Sequence, residues 1–270
     1  MKNWKMVPRS SFSLWDHHLM GQGSSVTGFR SALTGQARVW RTTVKGAAVA
    51  LRQQTLWFPW SSRVLTAEEG SEIQALAAKA WSNFTVMGLT SWTRPWEAWW
   101  PASLTRRVEY LWMTRPCLPV EMDPLREDQV VRWVSPHDVN SLFSLQEAYE
   151  KEEVLFDPSD FRSSSSFWFF QKQLQTQWNV VLEEKGIPLA KAGTNALISD
   201  WGQLGGVFTR SDRRGEGLQR RVLQFLLGEL ARTGRGACLF VKVNNRRAQD
   251  LYISLGFTVD GPFEITYWQK

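Results

Sequence analysis

The chain contains little cysteine and little histidine, with two and three of these residues among 270. Cys117 and Cys238 lie far apart, and neither belongs to a CxxC or Cys/His group. This spacing indicates neither a disulfide framework nor a structural zinc site. We therefore predict no metal cofactor and two buried free thiols, because unpaired cysteine is usually buried.

Long hydrophobic runs are also missing. No apolar stretch approaches the roughly 18 residues of a membrane-spanning helix, and the first ten residues lack the apolar core of a secretion signal. We expect a cytoplasmic chain with no membrane partner. The apolar fraction of 43% suffices for buried cores, and the length suits two domains.

Positive charge and tryptophan are concentrated in the first part of the chain. Residues 1–115 hold 14 Lys/Arg against 6 Asp/Glu, and they carry 11 of the 16 tryptophans. Basic groups interleaved with aromatic rings can bind nucleic acid through phosphate contacts and base stacking. Because no basic cluster accompanies the tryptophans, we favour a tryptophan-filled core and do not expect a nucleic-acid partner.

A proline-rich segment marks the predicted domain boundary. Three prolines fall within residues 116–124, where the charge balance changes. The predicted domains are residues 1–118 and 119–270. In the first, we expect a mixed α/β arrangement whose clearest helix runs from Ala67 to Trp81, with Thr66 as its cap and Glu69 completing a capping box.

The second domain alternates strand and helix patterns. The serine run at residues 163–166 predicts a loop that enters an aromatic-rich helix. Apolar periodicity predicts one or two helices at 136–152 and further helices at 218–233 and 246–255. The predicted strands are 130–134, 179–183, 188–191, 196–199, 205–209, 237–243 and 263–268.

Residues 207–218, Val-Phe-Thr-Arg-Ser-Asp-Arg-Arg-Gly-Glu-Gly-Leu, form the most informative stretch. An apolar strand leads through a glycine-containing loop into a helix. The first turn of a helix has unpaired N–H groups and partial positive charge, and glycine lets a ligand approach the backbone. Arg213 and Arg214 add charge, so the stretch predicts a phosphate-binding loop, although Arg-Gly-x-Gly also occurs in ordinary turns.

A second string, residues 244–257, reads Asn-Asn-Arg-Arg-Ala-Gln-Asp-Leu-Tyr-Ile-Ser-Leu-Gly-Phe. With the preceding loop, in this order, it resembles the GNAT superfamily of acyl-CoA-dependent N-acyltransferases. The resemblance is specific over residues 205–257 and looser over 125–270. It implies an α/β (α+β) fold, with a mixed, mostly antiparallel sheet flanked by helices.

The resemblance also implies which residues bind acetyl-CoA. Backbone groups of Val207, Phe208 and Thr209 would meet the pantetheine arm, and Asn245 would lie near it or simply cap the next helix. The amides of the loop would bind the pyrophosphate: Arg214, Gly215, Glu216, Gly217, Leu218 and Gln219. The family has Gly or Ala where this chain has Gln219, whose longer side chain would either crowd the phosphates or point away.

The same resemblance assigns one catalytic residue. Tyr252 stands where the family often places the general acid that protonates the CoA thiolate, a role that suits a phenol; otherwise its ring packs beside the cofactor. A neutral amine needs a proton acceptor, and the sequence singles out none of the four carboxylates near the expected cleft: Asp200, Glu183, Glu184 and Glu264.

The implied function is direct transfer of an acetyl group from acetyl-CoA to a primary amine in a ternary complex. The acceptor would be a small molecule, a protein N-terminus or a lysine. The alternative is a non-catalytic GNAT-fold module that binds CoA, nucleic acid or protein. The first half resembles the variable domain before some bacterial GNAT domains, which ends in a stretch similar to residues 108–116. The alternative is a degenerate GNAT-like half without the phosphate loop, since no Arg-Gly-x-Gly precedes residue 213.

Overall fold

The computed structural model describes residues 2–6, 38–42, 47–52, 55–79 and 83–270. These residues form twelve strands and six α-helices. The elements of the first part are β1 (Trp4–Met6), β2 (Arg38–Thr42), β3 (Ala47–Arg52), β4 (Leu56–Ser61), α1 (Ala67–Ala78), β5 (Asn83–Leu89), α2 (Thr90–Thr93) and β6 (Ser103–Arg115).

The elements after residue 115 alternate more regularly. They are β7 (Gln129–Trp133), α3 (Val139–Tyr149), α4 (Ser163–Thr176), β8 (Asn179–Glu184), β9 (Ile187–Leu197), β10 (Trp201–Thr209), α5 (Leu218–Arg232), β11 (Gly236–Lys242), α6 (Arg246–Ser254) and β12 (Thr258–Gln269). A π-helical turn, Glu150–Val154, continues α3. Among these described residues, no helix is both long and apolar enough to cross a bilayer.

The chain divides into two compact units. The first unit comprises Met1–Thr114, Phe240–Ile253 and Phe257–Lys270, and the second comprises Arg115–Leu239 and Ser254–Gly256. The C-terminal strand β12 therefore packs with the N-terminal elements. It lies between β5 and β6 and pairs antiparallel with both.

Aromatic residues fill the core of the first unit. Strands β1 to β4 pair antiparallel in chain order, and β4 runs parallel to β5. The indole rings of Trp57 and Trp100 lie 5.5 Å apart, and Phe84 stacks on Trp268. The described tryptophans of this cluster thus pack against one another, as the sequence predicts for a tryptophan-filled core.

Helix α1 begins at the predicted cap. The Thr66 hydroxyl accepts a hydrogen bond from the Glu69 N–H at 3.2 Å, and the Glu69 carboxylate accepts one from the Thr66 N–H at 3.0 Å. This reciprocal pair satisfies two amides at the helix start. The helix ends at Ala78, and the predicted end, Trp81, lies outside the described residues.

In the second unit, strands β7, β8, β9 and β10 pair antiparallel in that order. The first residues of β11 pair parallel with β10. Helices α3 and α4 pack against it through a buried cluster in which Leu142 and Phe170 meet Val181 and Phe208. Helix α5 packs against strands β7 to β10. Both units therefore combine mostly antiparallel strands with flanking helices, which confirms the predicted fold class.

Three expectations from the sequence are wrong. Ser163–Ser166 form the first turn of α4 rather than a loop, because small polar residues suit a helix start. The strands predicted at 188–191 and 196–199 are one strand, β9. Gly193 lies within this strand, where the Asn179 side chain occupies the place that a Cβ would take. Cys117 is exposed, whereas Cys238 is buried as predicted.

Candidate functional site

Strand β10 separates from its parallel neighbour part of the way along its length. It pairs with β11 only where Trp201–Gln203 meet Gly236–Cys238. Beyond Gln203, β10 is hydrogen-bonded to β9 on its other side. In the described part of the chain, the backbone of Leu204–Thr209 therefore has no ladder partner on the β11 side.

A β-bulge occurs in the same segment. Gly205 pairs with Gly193 and Phe208 pairs with Lys191, so three steps along β10 match two along β9. Gly206 lies within this bulge with a φ of 61°. A side chain would strain this left-handed conformation, and a bulge bends a strand and changes the direction of its backbone groups.

The loop after β10 ends in two glycines with left-handed backbones. The φ angles of Gly215 and Gly217 are 92° and 73°, and Gly217 precedes α5 without a side-chain cap. The first bond within α5 runs from the Arg221 N–H to the Gly217 carbonyl at 3.4 Å. The amides of the first turn thus have no acceptor within the helix, which is the arrangement that binds phosphate.

Carboxylates offset the two arginines of the loop. Arg213 bonds to Glu216 at 2.6 Å and to Glu184 at 2.8 Å, and its pairing lowers the pKa of Glu216. Arg214 bonds to Glu152 at 2.7 Å. The loop therefore offers an anion backbone amides more directly than it offers arginine charge.

Gln219 turns away from the loop amides. Its Oε1 accepts a hydrogen bond from the Thr209 hydroxyl at 3.0 Å, and its Nε2 donates to the Lys191 carbonyl at 3.3 Å. Of the two orientations left open by the sequence, the structure has the one that points away. The side chain ties the start of α5 to the end of β10 and to the middle of β9.

Asn245 and Tyr252 lie in the first unit. Asn245 Oδ1 accepts a hydrogen bond from the Ala248 N–H at 3.2 Å, so this residue caps α6. Tyr252 is 6% exposed and makes an edge contact with Phe257, with ring centres 5.7 Å apart. Their assignment to the CoA arm and to the acid role stays a prediction.

The four carboxylates considered as bases already have partners. Glu183 pairs with Arg132 at 2.6 Å and Glu184 with Arg213 at 2.8 Å. The pKa of Glu184 is lowered by hydrogen bonds from Gln129 and Arg213, which makes it a weaker base. In the first unit, Glu264 is buried and bonds to Thr93, Arg94 and Arg107. Asp200 accepts a hydrogen bond from Ser199 at 2.9 Å.

The sequence reasoning missed a buried lysine beside the bulge. Lys191, on β9, is 6% exposed, and its Nζ donates to the Gly206 carbonyl at 3.1 Å. Burial lowers its pKa to about 7, against the opposing charge of Glu150. The sequence does contain a signal for this buried lysine, because Lys191 lies within the otherwise apolar strand sequence Pro-Leu-Ala-Lys-Ala-Gly.

Tyr149 contacts the same bulge from the end of α3. Burial raises the pKa of its phenol to about 12, and a hydrogen bond with the Gly206 backbone acts in the opposite direction. The ring lies 4.7 Å from Lys191 Nζ and packs edge-on against Phe208. Side chains from two elements therefore converge on Gly206.

Within the described ranges, no group of three or more His, Cys, Asp or Glu residues could hold a metal ion.

A family model and solved structures identify the fold. Residues 186–269 match the model for FR47-like proteins, and no curated protein matches the sequence. A protein from Drosophila has a TM-score of 0.75 at 10% identity, covering 100% of this chain and 99% of its own. A GNAT-family acetyltransferase from Colwellia psychrerythraea has a TM-score of 0.62 at 12% identity, covering 99% of each chain.

A tandem GNAT protein from the clavulanic acid biosynthesis pathway is also similar. Its TM-score is 0.60 at 11% identity, and the alignment covers 99% of this chain and 98% of that one. These similarities show that the chain has a GNAT fold. The match of residues 186–269 to the FR47-like model agrees with this fold, so the predicted resemblance is confirmed.

Proposed function

We propose that the protein is an N-acetyltransferase that transfers the acetyl group of acetyl-CoA to a primary amine. The observation that carries this proposal is the strand–loop–helix segment from β10 to α5 in the second unit. Within the described residues, β10 has no ladder partner on its β11 side beyond Gln203, and it leads through two left-handed glycines into an uncapped helix N-terminus. Such a segment suits a ligand with an extended amide-containing arm that ends in a pyrophosphate.

The residues present fit that ligand. A Cβ at Gly217 would lie 3.2 Å from the Arg221 guanidinium, so glycine keeps the entrance to the helix open. The amides of Leu218 and Gln219 are available to phosphate oxygens, and the Gln219 side chain is directed elsewhere. Bound acetyl-CoA would supply the thioester, while the backbone of Val207–Thr209 would orient its pantetheine arm.

The acid role belongs to Tyr252 in this proposal. A phenol can protonate a departing thiolate because their basicities are comparable. We expect the acceptor amine to attack directly in a ternary complex, and the acceptor to be a small molecule or a protein amine. Asn245 would lie near the CoA arm in addition to capping α6.

Calorimetric titration with CoA and acetyl-CoA tests the proposal first. We expect micromolar to submillimolar binding by the wild-type chain, and no heat at millimolar ligand would overturn the cofactor assignment. An amine panel assayed by thiol release then tests transfer. Tyr252→Phe should lower kcat by about 10² while leaving the CoA affinity unchanged, and equal rates would remove Tyr252 from the acid role.

One observation favours a second function, a GNAT fold that binds CoA without catalysis. All four carboxylates considered as bases accept hydrogen bonds or ion pairs from neighbouring groups. This alternative predicts CoA binding without thiol release for any amine in the panel. Salt-dependent binding of generic DNA or RNA would instead favour a nucleic-acid-binding module.

A further inference from the structure

Lys191 contacts both the β10 bulge and the start of α5. Its side-chain Nζ donates to the Gly206 carbonyl at 3.1 Å, and its own main-chain carbonyl accepts from Gln219 Nε2 at 3.3 Å. One residue thereby links the bulge before the loop to the first turn of the helix after it. These are the two segments that the proposed function assigns to the pantetheine arm and the pyrophosphate.

Aromatic rings enclose the lysine head group. Nζ lies 4.7 Å from the centre of the Tyr149 ring and 5.5 Å from that of Phe170. Burying an amine costs free energy unless it makes hydrogen bonds, and an apolar side chain of similar length would fill the same space. The Gly206 carbonyl is the one hydrogen-bond acceptor that the described structure shows for Nζ.

The absence of a side chain at Gly206 leaves space for the lysine head group. A Cβ at position 206 would lie 3.2 Å from Nζ. The Gly206 backbone also bonds with the buried Tyr149 hydroxyl. Side chains from β9 and from the end of α3 therefore both hold the Gly206 backbone.

We propose that Lys191 is a positioning residue of the acyl-CoA site, which sets the backbone of Val207–Thr209 by holding the Gly206 carbonyl. The inference rests on the proposed function, since it takes the acyl-CoA site from there. The Lys191 side chain acts through Gly206 and touches no reacting atom, while Gln219 bonds to the main-chain carbonyl, which any residue would supply. Loss of the side chain therefore affects cofactor binding more than the chemical step.

The test compares Lys191→Met with the wild type. Methionine keeps most of the volume and removes the donor, so the buried Gly206 carbonyl loses its partner. We expect the Kd for CoA and the KM for acetyl-CoA to rise about tenfold, with kcat at saturation within about twofold. Hydrogen exchange of the ligand-free variant should be faster at the Val207–Thr209 amides, a readout that needs no cofactor.

Two further variants complete the experiment. Lys185→Met is the matched control, because this lysine lies on the turn between β8 and β9 with 77% of its side chain exposed, and it should change neither constant. Tyr149→Phe removes the hydroxyl that meets Gly206 and should raise the Kd for CoA about threefold. If Lys191→Met does not fold, the Kd of Tyr149→Phe for CoA tests whether holding Gly206 matters for cofactor binding.

The outcomes separate the two proposals. Absence of CoA binding by the wild type overturns the proposed function and this inference with it. Wild-type binding with unchanged Kd and exchange in Lys191→Met and Tyr149→Phe overturns this inference alone. A fall in kcat without a change in Kd also contradicts it, because that result would assign Lys191 to the chemical step.

Discussion

The Thr209 hydroxyl donates a 3.0 Å hydrogen bond to Gln219 Oε1, across the loop from the end of β10 to the first turn of α5. This bond explains how a long side chain can stand where the family has glycine or alanine. The amide group is held against the sheet by Thr209 and the Lys191 carbonyl. The departure from the family pattern is therefore compatible with phosphate at the helix N-terminus.

Gln219→Ala tests this orientation. Because the side chain anchors the helix start instead of filling the phosphate site, its removal should weaken CoA binding about two- to fivefold, the effect of losing modest hydrogen bonds. Calorimetry measures the change, and Arg232→Ala, at the exposed far end of α5, should have no effect. Tighter binding by Gln219→Ala would show that the glutamine obstructs the phosphates.

Gly217→Ala tests the loop itself. The left-handed φ of 73° and the nearby Arg221 guanidinium both disfavour a side chain here. We expect a loss of about 1 kcal/mol in unfolding free energy and a CoA affinity reduced at least about tenfold, because the methyl group stands at the entrance to the first turn.

Gly228→Ala is the control for that experiment. Gly228 lies inside the same helix, and nothing is within 4 Å of the place of its Cβ. Alanine should therefore stabilise the fold by about 0.5–1 kcal/mol without altering CoA binding. Equal CoA affinities for the two alanine variants would contradict the assignment of Gly217 to the phosphate loop.

The sequence predicts those parts of the site that depend on local backbone chemistry. The loop glycines, the start of α5 at Leu218 and the capping role of Asn245 follow from residues a few positions apart. The sequence does not predict the contacts that depend on strand register. Lys191 meets Gly206 because a bulge shifts β10 against β9, and no short pattern encodes that pairing.

Glu264→Gln tests whether this carboxylate is structural. Glu264 is 1% exposed, and its carboxylate accepts hydrogen bonds from Arg94, Arg107 and the Thr93 hydroxyl. Neutralising it removes one of the two carboxylates that Arg94 and Arg107 share, Glu97 being the other, so we expect the unfolding free energy to fall by about 2 kcal/mol in urea titrations. Glu109→Gln, whose carboxylate is 62% exposed at 3.7 Å from Arg94, should cost under about 1 kcal/mol. Equal stabilities would show that the buried cluster contributes little.

Lys191 should make stability depend on pH in the alkaline range. Its folded-state pKa is lowered from 10.5 to about 7 by burial, with Tyr149 and Glu150 as the ionisable groups that face it. Between these two values the unfolded chain binds a proton that the folded chain does not. Stability must therefore rise with pH in this window, by up to about 1.4 kcal/mol per pH unit, and stay level below it.

Urea unfolding of the wild type and Lys191→Met between pH 7.5 and 9.5 measures this slope. The variant lacks the titrating group, so the wild type should gain stability relative to it as the pH rises. Lys185→Met should follow the wild type throughout, since that lysine is exposed. Parallel curves for the wild type and Lys191→Met would show that Lys191 titrates normally and that its head group is solvated in the folded protein.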